Sequence, residues 1–142
     1  MKNEKIAIYP GSFNPFHRGH YNILTKAEAI FDKVIIARGL GAGKEPSDFK
    51  IPKVLVGKPI IEYEGLLTDL IKTLPHDDVT IIRGLRNATD LQYEITQYRF
   101  LQEFMPNIQM VSIFCDKEFE HISSSAIRYL ASIGHEKKYL LK

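Results

Sequence analysis

One cysteine, Cys115, is all the thiol chemistry this chain has. A disulfide within the chain is therefore excluded, and neither Cys-x-x-Cys nor His-Glu-x-x-His occurs, so the common zinc spacings are missing as well. No apolar run approaches the ~18 residues of a membrane span. Met1 leads into a charged, polar stretch instead of the apolar core of a signal segment, and the expectation is a cytoplasmic protein with no membrane partner. Neither sign of charge is in large excess: Lys and Arg number 19 against 17 Asp and Glu. The basic residues are dispersed, which speaks against a nucleic-acid partner and leaves small anions as ligands. Gly-x-x-x-x-Gly-Lys-Ser/Thr and Gly-x-Gly-x-x-Gly are absent, so neither a P-loop NTPase nor a dinucleotide dehydrogenase is supported. There is no internal repeat and no low-complexity segment. What is present, 142 residues of which 44% are apolar and 25% charged, suits one globular domain over residues 1–142.

The most informative stretch is Tyr9-Pro-Gly-Ser-Phe-Asn-Pro-Phe-His-Arg-Gly-His20. It follows the apolar run Ile6 to Tyr9 and enters a pattern in which Ile23, Ala27 and Ile30 recur at helical spacing. That is a strand, a tight loop and a helix, with Pro10, Gly11, Asn14 and Pro15 supplying the turn chemistry. Backbone amides of the loop and of the helix N-terminus would face one spot and favour negative charge there, so this reads as a phosphate site. His17 and His20 flank Gly19, whose missing side chain leaves room for a ligand. Taken singly, each histidine reads equally well as an ordinary surface residue. A His17–His20 metal pair is disfavoured by the lack of any further metal-binding pattern, and no metal ligand is assigned.

Along the rest of the chain, Val34–Ala37 is a continuous apolar run of the kind found in strands buried on both faces, which makes a βαβ unit and hence a parallel sheet. The loop Gly39 to Pro46 lies at the carboxyl edge where open α/β sheets bind ligands, so Lys44 is a candidate phosphate contact or a solvated lysine. Ser47 to Glu64 is broken by Pro52, Gly57 and Pro59 and yields only a strand near Ile60–Tyr63. A helix with Leu66, Leu67, Leu70, Ile71 and Leu74 on one face ends at Pro75. The strand Val79–Ile82 delivers Arg83-Gly-Leu-Arg86 to the same edge as the first loop, where two guanidinium forks suit a phosphate clamp. Asn87 or Asp90 caps the next helix, on which Glu94 and Arg99 are either functional or solvated. Ile108–Cys115 is the last strand, with Val111, Ile113 and Cys115 on one side. A polar loop from Asp116 to His121 precedes a short helix opened by three serines and terminated by Gly134. The tail Lys137–Lys142 carries no signal. Together these elements predict a doubly wound parallel sheet of about five strands, with Ser12, His20, Arg83 and Ser123–Ser125 meeting at one carboxyl edge.

Gly11-Ser-Phe-Asn-Pro-Phe-His-Arg-Gly-His20 resembles the H-x-G-H signature of the nucleotidyltransferase superfamily, and Ile122-Ser-Ser-Ser-Ala-Ile-Arg128 resembles its serine-helix signature. With Ile82-Arg-Gly-Leu-Arg-Asn-Ala-Thr-Asp-Leu-Gln-Tyr-Glu94 between them, the chain is most similar to the bacterial phosphopantetheine adenylyltransferases. The resemblance implies a Rossmann-like fold of the nucleotidyltransferase type. It also implies transfer of AMP from ATP to the phosphate of 4′-phosphopantetheine, giving dephospho-coenzyme A and pyrophosphate. Nicotinamide or nicotinate mononucleotide adenylyltransferase is the alternative enzyme, and a nucleotide-binding module without turnover the alternative of another class.

Residue by residue, the resemblance implies that Ser12 touches both substrates, that Phe13 meets ATP through its backbone and that His20 stabilises the transition state. His17, Lys44 and Arg83 join His20 as catalytic candidates, and Lys44, Thr68 and Arg83 match acceptor contacts. Gly84, Leu85, Arg86 and Glu94 match an ATP-binding set, as does the loop Phe119, Glu120, His121, Ile122, Ser123, Ser124 and Ser125. Mg2+ is expected with ATP, held mainly by phosphates and water, and the implied assembly is a homo-oligomer, a hexamer. Three departures stand out: His17 sits where this family often has threonine, Ser47–Glu64 lacks the family's Phe-x-x-x-x-Arg helix, and the chain stops soon after the serine helix.

Overall fold

The computed structural model describes residues 4–41 and 51–141. Its strands are β1 (Ile6–Gly11), β2 (Lys33–Leu40), β3 (Ile60–Glu64), β4 (Val79–Leu85) and β5 (Gln109–Phe114), and its helices are α1 (Arg18–Ile30), α2 (Leu67–Thr73), α3 (Ala88–Phe104) and α4 (Ser124–Ser132). Short 3-10 turns occupy Lys53–Leu55, Lys117–Phe119 and Lys137–Tyr139. The strands form one sheet in the order β3-β2-β1-β4-β5. Every pairing in it is parallel. The expected doubly wound sheet of five strands is therefore present.

Ile6 to Tyr9 carries no polar residue because β1 is the central strand and both its faces are covered. Ala7 and Tyr9 pack on one side with Ile23, Leu24 and Ala27 of α1. Ile6 and Ile8 pack on the other with Ile71 of α2 and Ile81 of β4. On either side of β1 the chain winds in opposite directions, to β2 and to β4, so their carboxyl ends diverge and leave a crevice beyond Gly11.

Some expectations need correction. Cys115, expected within the last strand, lies beyond β5, which is an edge strand of the sheet. Within Ser47–Glu64 the unexpected element is the 3-10 turn, which sends Leu55 into the core. The tail also carries structure: Leu140 makes an isolated antiparallel bridge to His17, and Leu141 packs against the core under α1.

Candidate active site

The turn from β1 into α1 is held by its own side chains. His17 is the N-cap of α1: its Nδ1 accepts from the Gly19 amide at 3.1 Å and from the His20 amide at 3.4 Å. The His20 ring reaches back, its Nδ1 accepting from the His17 amide at 3.1 Å. The two imidazoles form a reciprocal capping box, a histidine version of the usual hydroxyl and carboxylate pair. Since both Nδ1 atoms accept, both neutral rings carry their proton on Nε2. The rings stack 3.7 Å apart, and Gly19 is glycine because a Cβ there would meet the His17 ring at 3.0 Å. The space at Gly19 thus serves His17, and Gly19 also lines a cavity, where the sequence had suggested a ligand.

Burial, with the Arg86 charge adding to it, pushes the His17 pKa down to about 4. His20 is held well below its ordinary value by burial first, then by His17, Arg86 and Arg83, although part of its ring still reaches the cavity. Both rings are neutral donors near pH 7.

Phe13 adopts φ 46°, a conformation a non-glycine residue rarely keeps without reason. Its ring is the reason: it inserts among Tyr9 (5.1 Å), Phe16 (5.1 Å) and His20 (4.9 Å). A Cβ at Gly11 would stand 2.8 Å from that ring. With the side chain 2% exposed, the Ser12–Phe13 main chain is what the loop presents to the crevice.

From β4, Arg83 donates through Nε and Nη2 to the two Glu94 oxygens at 2.8 Å each and through Nη1 to the Pro10 carbonyl at 2.8 Å. Burial opposes its charge, but the Glu94 bond and charge outweigh it and raise the Arg83 pKa. Three of its five N–H donors are used, which leaves two for an anion. Arg86 likewise grips Asp90 through Nε at 2.9 Å and Nη2 at 3.0 Å, and that bond lowers the Asp90 pKa. Gly84 allows α1 to close over β4, since a Cβ would meet Ile23 at 2.8 Å. Across the crevice, Ser123 caps α4 by accepting from the Ala126 amide at 3.1 Å. Ser124 donates to the Pro15 carbonyl at 2.9 Å, and Arg128 donates to the Asn14 carbonyl at 2.6 Å. These bonds fix α4 onto the β1–α1 loop.

Two cavities among the described residues border these elements. The first, about 330 Å3, lies between α1, β4 and the start of α4 and is lined by Ser12, Phe13, His17, His20, Arg83, Gly84, Leu85, Arg86, Glu94, Phe119, Ile122, Ser123 and Ser124 among others. The second, about 420 Å3, opens on the other side of β1 among β2, β3, α2 and α3. They share one wall, made of Pro10, Gly11, Ser12, Arg83, Tyr93 and Glu94.

Most sequence candidates therefore converge, but not all. Thr68 is fully buried on the inward face of α2, lines neither cavity, and its Oγ1 has no hydrogen-bond partner among the described residues. Glu120, His121 and Ser125 lie outside both linings, His121 packing edge-on at 6.2 Å from Tyr139. Lys44 lies outside the described residues. Glu94, expected at ATP, does line both cavities, but it is 6% exposed and holds Arg83. Asp90, expected at most as a cap, holds Arg86, while Asn87 caps α3 by accepting from the Asp90 amide at 3.0 Å. Tyr63 and Gln97, which line the second cavity, carried no motif that would have revealed them.

Mg2+ fits this site only as a companion of its ligand. Glu94 and Asp90, the carboxylates lining the first cavity, are both occupied by arginines, and no group of three or more potential metal-binding His, Cys, Asp or Glu occurs among the described residues. No helix among them is long and apolar enough to cross a membrane.

A family model described as cytidylyltransferase-like matches residues 8–50. A phosphopantetheine adenylyltransferase of Mycoplasma mycoides is 40% identical over 134 residues, covering 87% of this chain and 94% of that protein. One from Porphyromonas gingivalis is 34% identical, covering 94% and 91%. Among solved structures, a putative nicotinate-nucleotide adenylyltransferase from Vibrio parahaemolyticus superposes with a TM-score of 0.61 at 15% identity, covering 99% of this chain and 95% of that one. A bifunctional NMN adenylyltransferase/ADP ribose pyrophosphatase from Francisella tularensis, complexed with AMP and a manganese ion, gives 0.62 at 16% identity, and this chain spans 44% of its length. At such identities the structures share the fold.

Proposed function

The chain belongs to the phosphopantetheine adenylyltransferase family, and from that membership and the site we infer that it transfers AMP from ATP to the phosphate of 4′-phosphopantetheine, yielding dephospho-coenzyme A and pyrophosphate. The observation that carries the reading is the shared wall, because a bisubstrate transfer needs two adjacent chambers and a common boundary where the reacting atoms meet. ATP occupies the chamber beside α1 and α4, and the acceptor the one beside α2 and α3. At the boundary an acceptor phosphate oxygen attacks the α-phosphorus of ATP, a new P–O bond forms, the bond to the β-phosphate oxygen breaks, and pyrophosphate leaves.

The residues position substrates and stabilise charge. No general base is required, since the attacking phosphate is already anionic. His20, its tautomer set by the His17 amide, offers Nε2–H to an α-phosphate oxygen as charge shifts during attack. Arg83, held by Glu94 and Pro10, directs its two remaining donors at the phosphates between the chambers. The N-termini of α1 and α4, with Ser12 and Ser123, favour the negative charge of the nucleotide. Mg2+ supplies charge neutralisation when it arrives with ATP, held by phosphates and water.

The assembly we propose is a homo-oligomer working in the cytoplasm, a hexamer by resemblance. α3 supports it: Glu94 is its one buried residue, while Leu91, Ile95, Phe100 and Phe104 are 44–56% exposed, and Phe114 at the end of β5 is 75% exposed. A monomeric mass by light scattering would refute the oligomer. For the reaction, pyrophosphate release from ATP is measured with 4′-phosphopantetheine, nicotinamide mononucleotide, nicotinate mononucleotide or no acceptor. Release with the first alone is expected. Release with a mononucleotide alone would transfer the assignment to that enzyme, and ATP binding without release would make the chain a binding module.

A further inference from the structure

The second cavity carries a polar group that the described residues leave without a partner. Tyr63 lies near the carboxyl end of β3, and its register partner on β2 is Gly39. Because Gly39 has no side chain, the phenol lies over its backbone: a Cβ there would stand 3.3 Å from the Tyr63 hydroxyl and 3.4 Å from the ring carbon that bears it. Such a cross-strand pair covers a glycine with an aromatic ring and fixes where the ring's polar tip goes. Tyr63 lines the cavity, and its hydroxyl has no hydrogen-bond partner among the described residues.

Apolar side chains such as Leu40 and Leu67 supply much of this lining, and the polar side chains that reach it include Ser12, Tyr63, Arg83 and Gln97. A pocket of that composition gains affinity from apolar area, which does not discriminate, and orientation from its few polar groups, which do. Burial raises the phenol's pKa even though the Arg83 charge acts against it, so the hydroxyl stays protonated and is a donor near neutral pH. Arg83, on the wall shared by the two chambers, lines the same cavity as Tyr63 and its charge acts on the phenol, so a ligand whose phosphate met Arg83 would have its neighbouring atoms toward Tyr63.

We propose that Tyr63 is a specificity-determining contact for the acceptor, donating its hydroxyl hydrogen to a carbonyl or hydroxyl oxygen beside the acceptor's phosphate. The proposal rests on the assignment of this chamber to the acceptor. Once a bound acceptor covers it, a hydroxyl left without a partner penalises any phosphorylated compound that cannot accept from it, which is discrimination that apolar packing alone does not provide.

Two variants probe it independently. Tyr63→Phe keeps the ring over Gly39 and removes only the hydroxyl. Gly39→Ala keeps the hydroxyl but crowds it. Steady-state rates with 4′-phosphopantetheine and ATP, together with calorimetric ATP binding, should show KM for the acceptor rising about 3- to 10-fold in Tyr63→Phe, as for loss of one neutral hydrogen bond. KM should rise in the same direction in Gly39→Ala, and the ATP Kd should stay within about twofold in both. The proposal is overturned if the acceptor KM stays within about twofold of wild type in both variants, or if ATP binding weakens as much as the acceptor KM rises. Those results leave the assigned reaction standing. Wild-type protein that releases no pyrophosphate with 4′-phosphopantetheine would remove the acceptor assignment, and the Tyr63 contact with it.

Discussion

On the two sides of the Ser12–Arg83 wall the crevice is built by different means. Toward α1 and α4 the polar groups are already bonded to one another: His17 with His20, Arg83 with Glu94, Arg86 with Asp90, and Ser124 with the Pro15 carbonyl. Toward α2 and α3 the lining is largely Leu40, Leu66, Leu67, Leu101 and Met110, with a few polar tips. A preorganised donor costs no reorganisation as charge develops, whereas an apolar wall holds a ligand equally before and during the reaction. Changes on the first side should therefore act on kcat, stability and pH dependence. Changes on the second side should act on the acceptor's KM.

The largest expected effect is at His20, and its two ring nitrogens have separate tasks. Nδ1 closes the capping box, and Nε2–H is the donor we propose for the reacting phosphate. His20→Asn keeps an acceptor oxygen where Nδ1 stood and removes the Nε2 donor, so it tests the second task without sacrificing the first. We expect kcat to fall by roughly 10²- to 10³-fold, the range for one preorganised donor, with the calorimetric ATP affinity changed little. If ATP binding falls in proportion to rate, His20 is a ground-state contact only, and the contrast between the two sides loses its main support.

The same contrast decides what could be read from the sequence. Phosphate sites require particular groups at particular spacings, and Gly11, Ser12, His20, Arg83 and the serine helix were all legible because each has few chemical substitutes. The five strands were legible for a related reason, since strands covered on both faces become continuous apolar runs such as Ile6–Tyr9 and Val34–Ala37. The apolar chamber left no motif, because almost any large side chain can line it; Tyr63 and Gln97 became visible only through register and packing. Residue type alone also failed to show who bonds to whom. Glu94 could equally have met ATP or Arg83, and only the sheet and α3 together bring Arg83 within 2.8 Å of both its oxygens. Thr68 was misplaced because helical spacing places it with Ile71, on the face that turned inward. The tail gave no signal because it contributes a backbone bridge to His17, to which sequence is nearly blind, and a single packed side chain, Leu141, too short a pattern to read.

Glu94→Ala should have the next largest effect. The Arg83 side chain is 27% exposed and its carboxylate partner 8%, so truncating Glu94 strands a largely desolvated cation. Removing one member of such a pair costs about 3–5 kcal/mol, measurable as a lowered denaturant midpoint. By contrast, Asp90→Ala on the more exposed Arg86 pair should cost no more than about 1 kcal/mol. Equal costs for the two would mean that Arg83 finds another partner once Glu94 is gone, and that the wall between the chambers is not rigid.

The last prediction concerns His17 and is read as a slope. In the folded protein its pKa is about 4, against an ordinary 6.5, so between these pH values the unfolded chain binds more protons than the folded one. Stability from this group is therefore fully present above about pH 6.5 and is lost as pH falls toward 4, amounting to at most about 3 kcal/mol. His20 is depressed in the same direction and adds to the loss. His17→Asn keeps an acceptor at the N-cap of α1 while removing the titrating ring, so its stability should decline less steeply across this window than that of wild type. The comparison needs only the slope of unfolding free energy against pH in the two proteins, because the packing lost with the imidazole shifts the whole curve without tilting it. Parallel slopes would mean that His17 is not held neutral by the fold. The capping box would then survive protonation, and acid should spare the α1 side of the crevice as readily as it spares the apolar one.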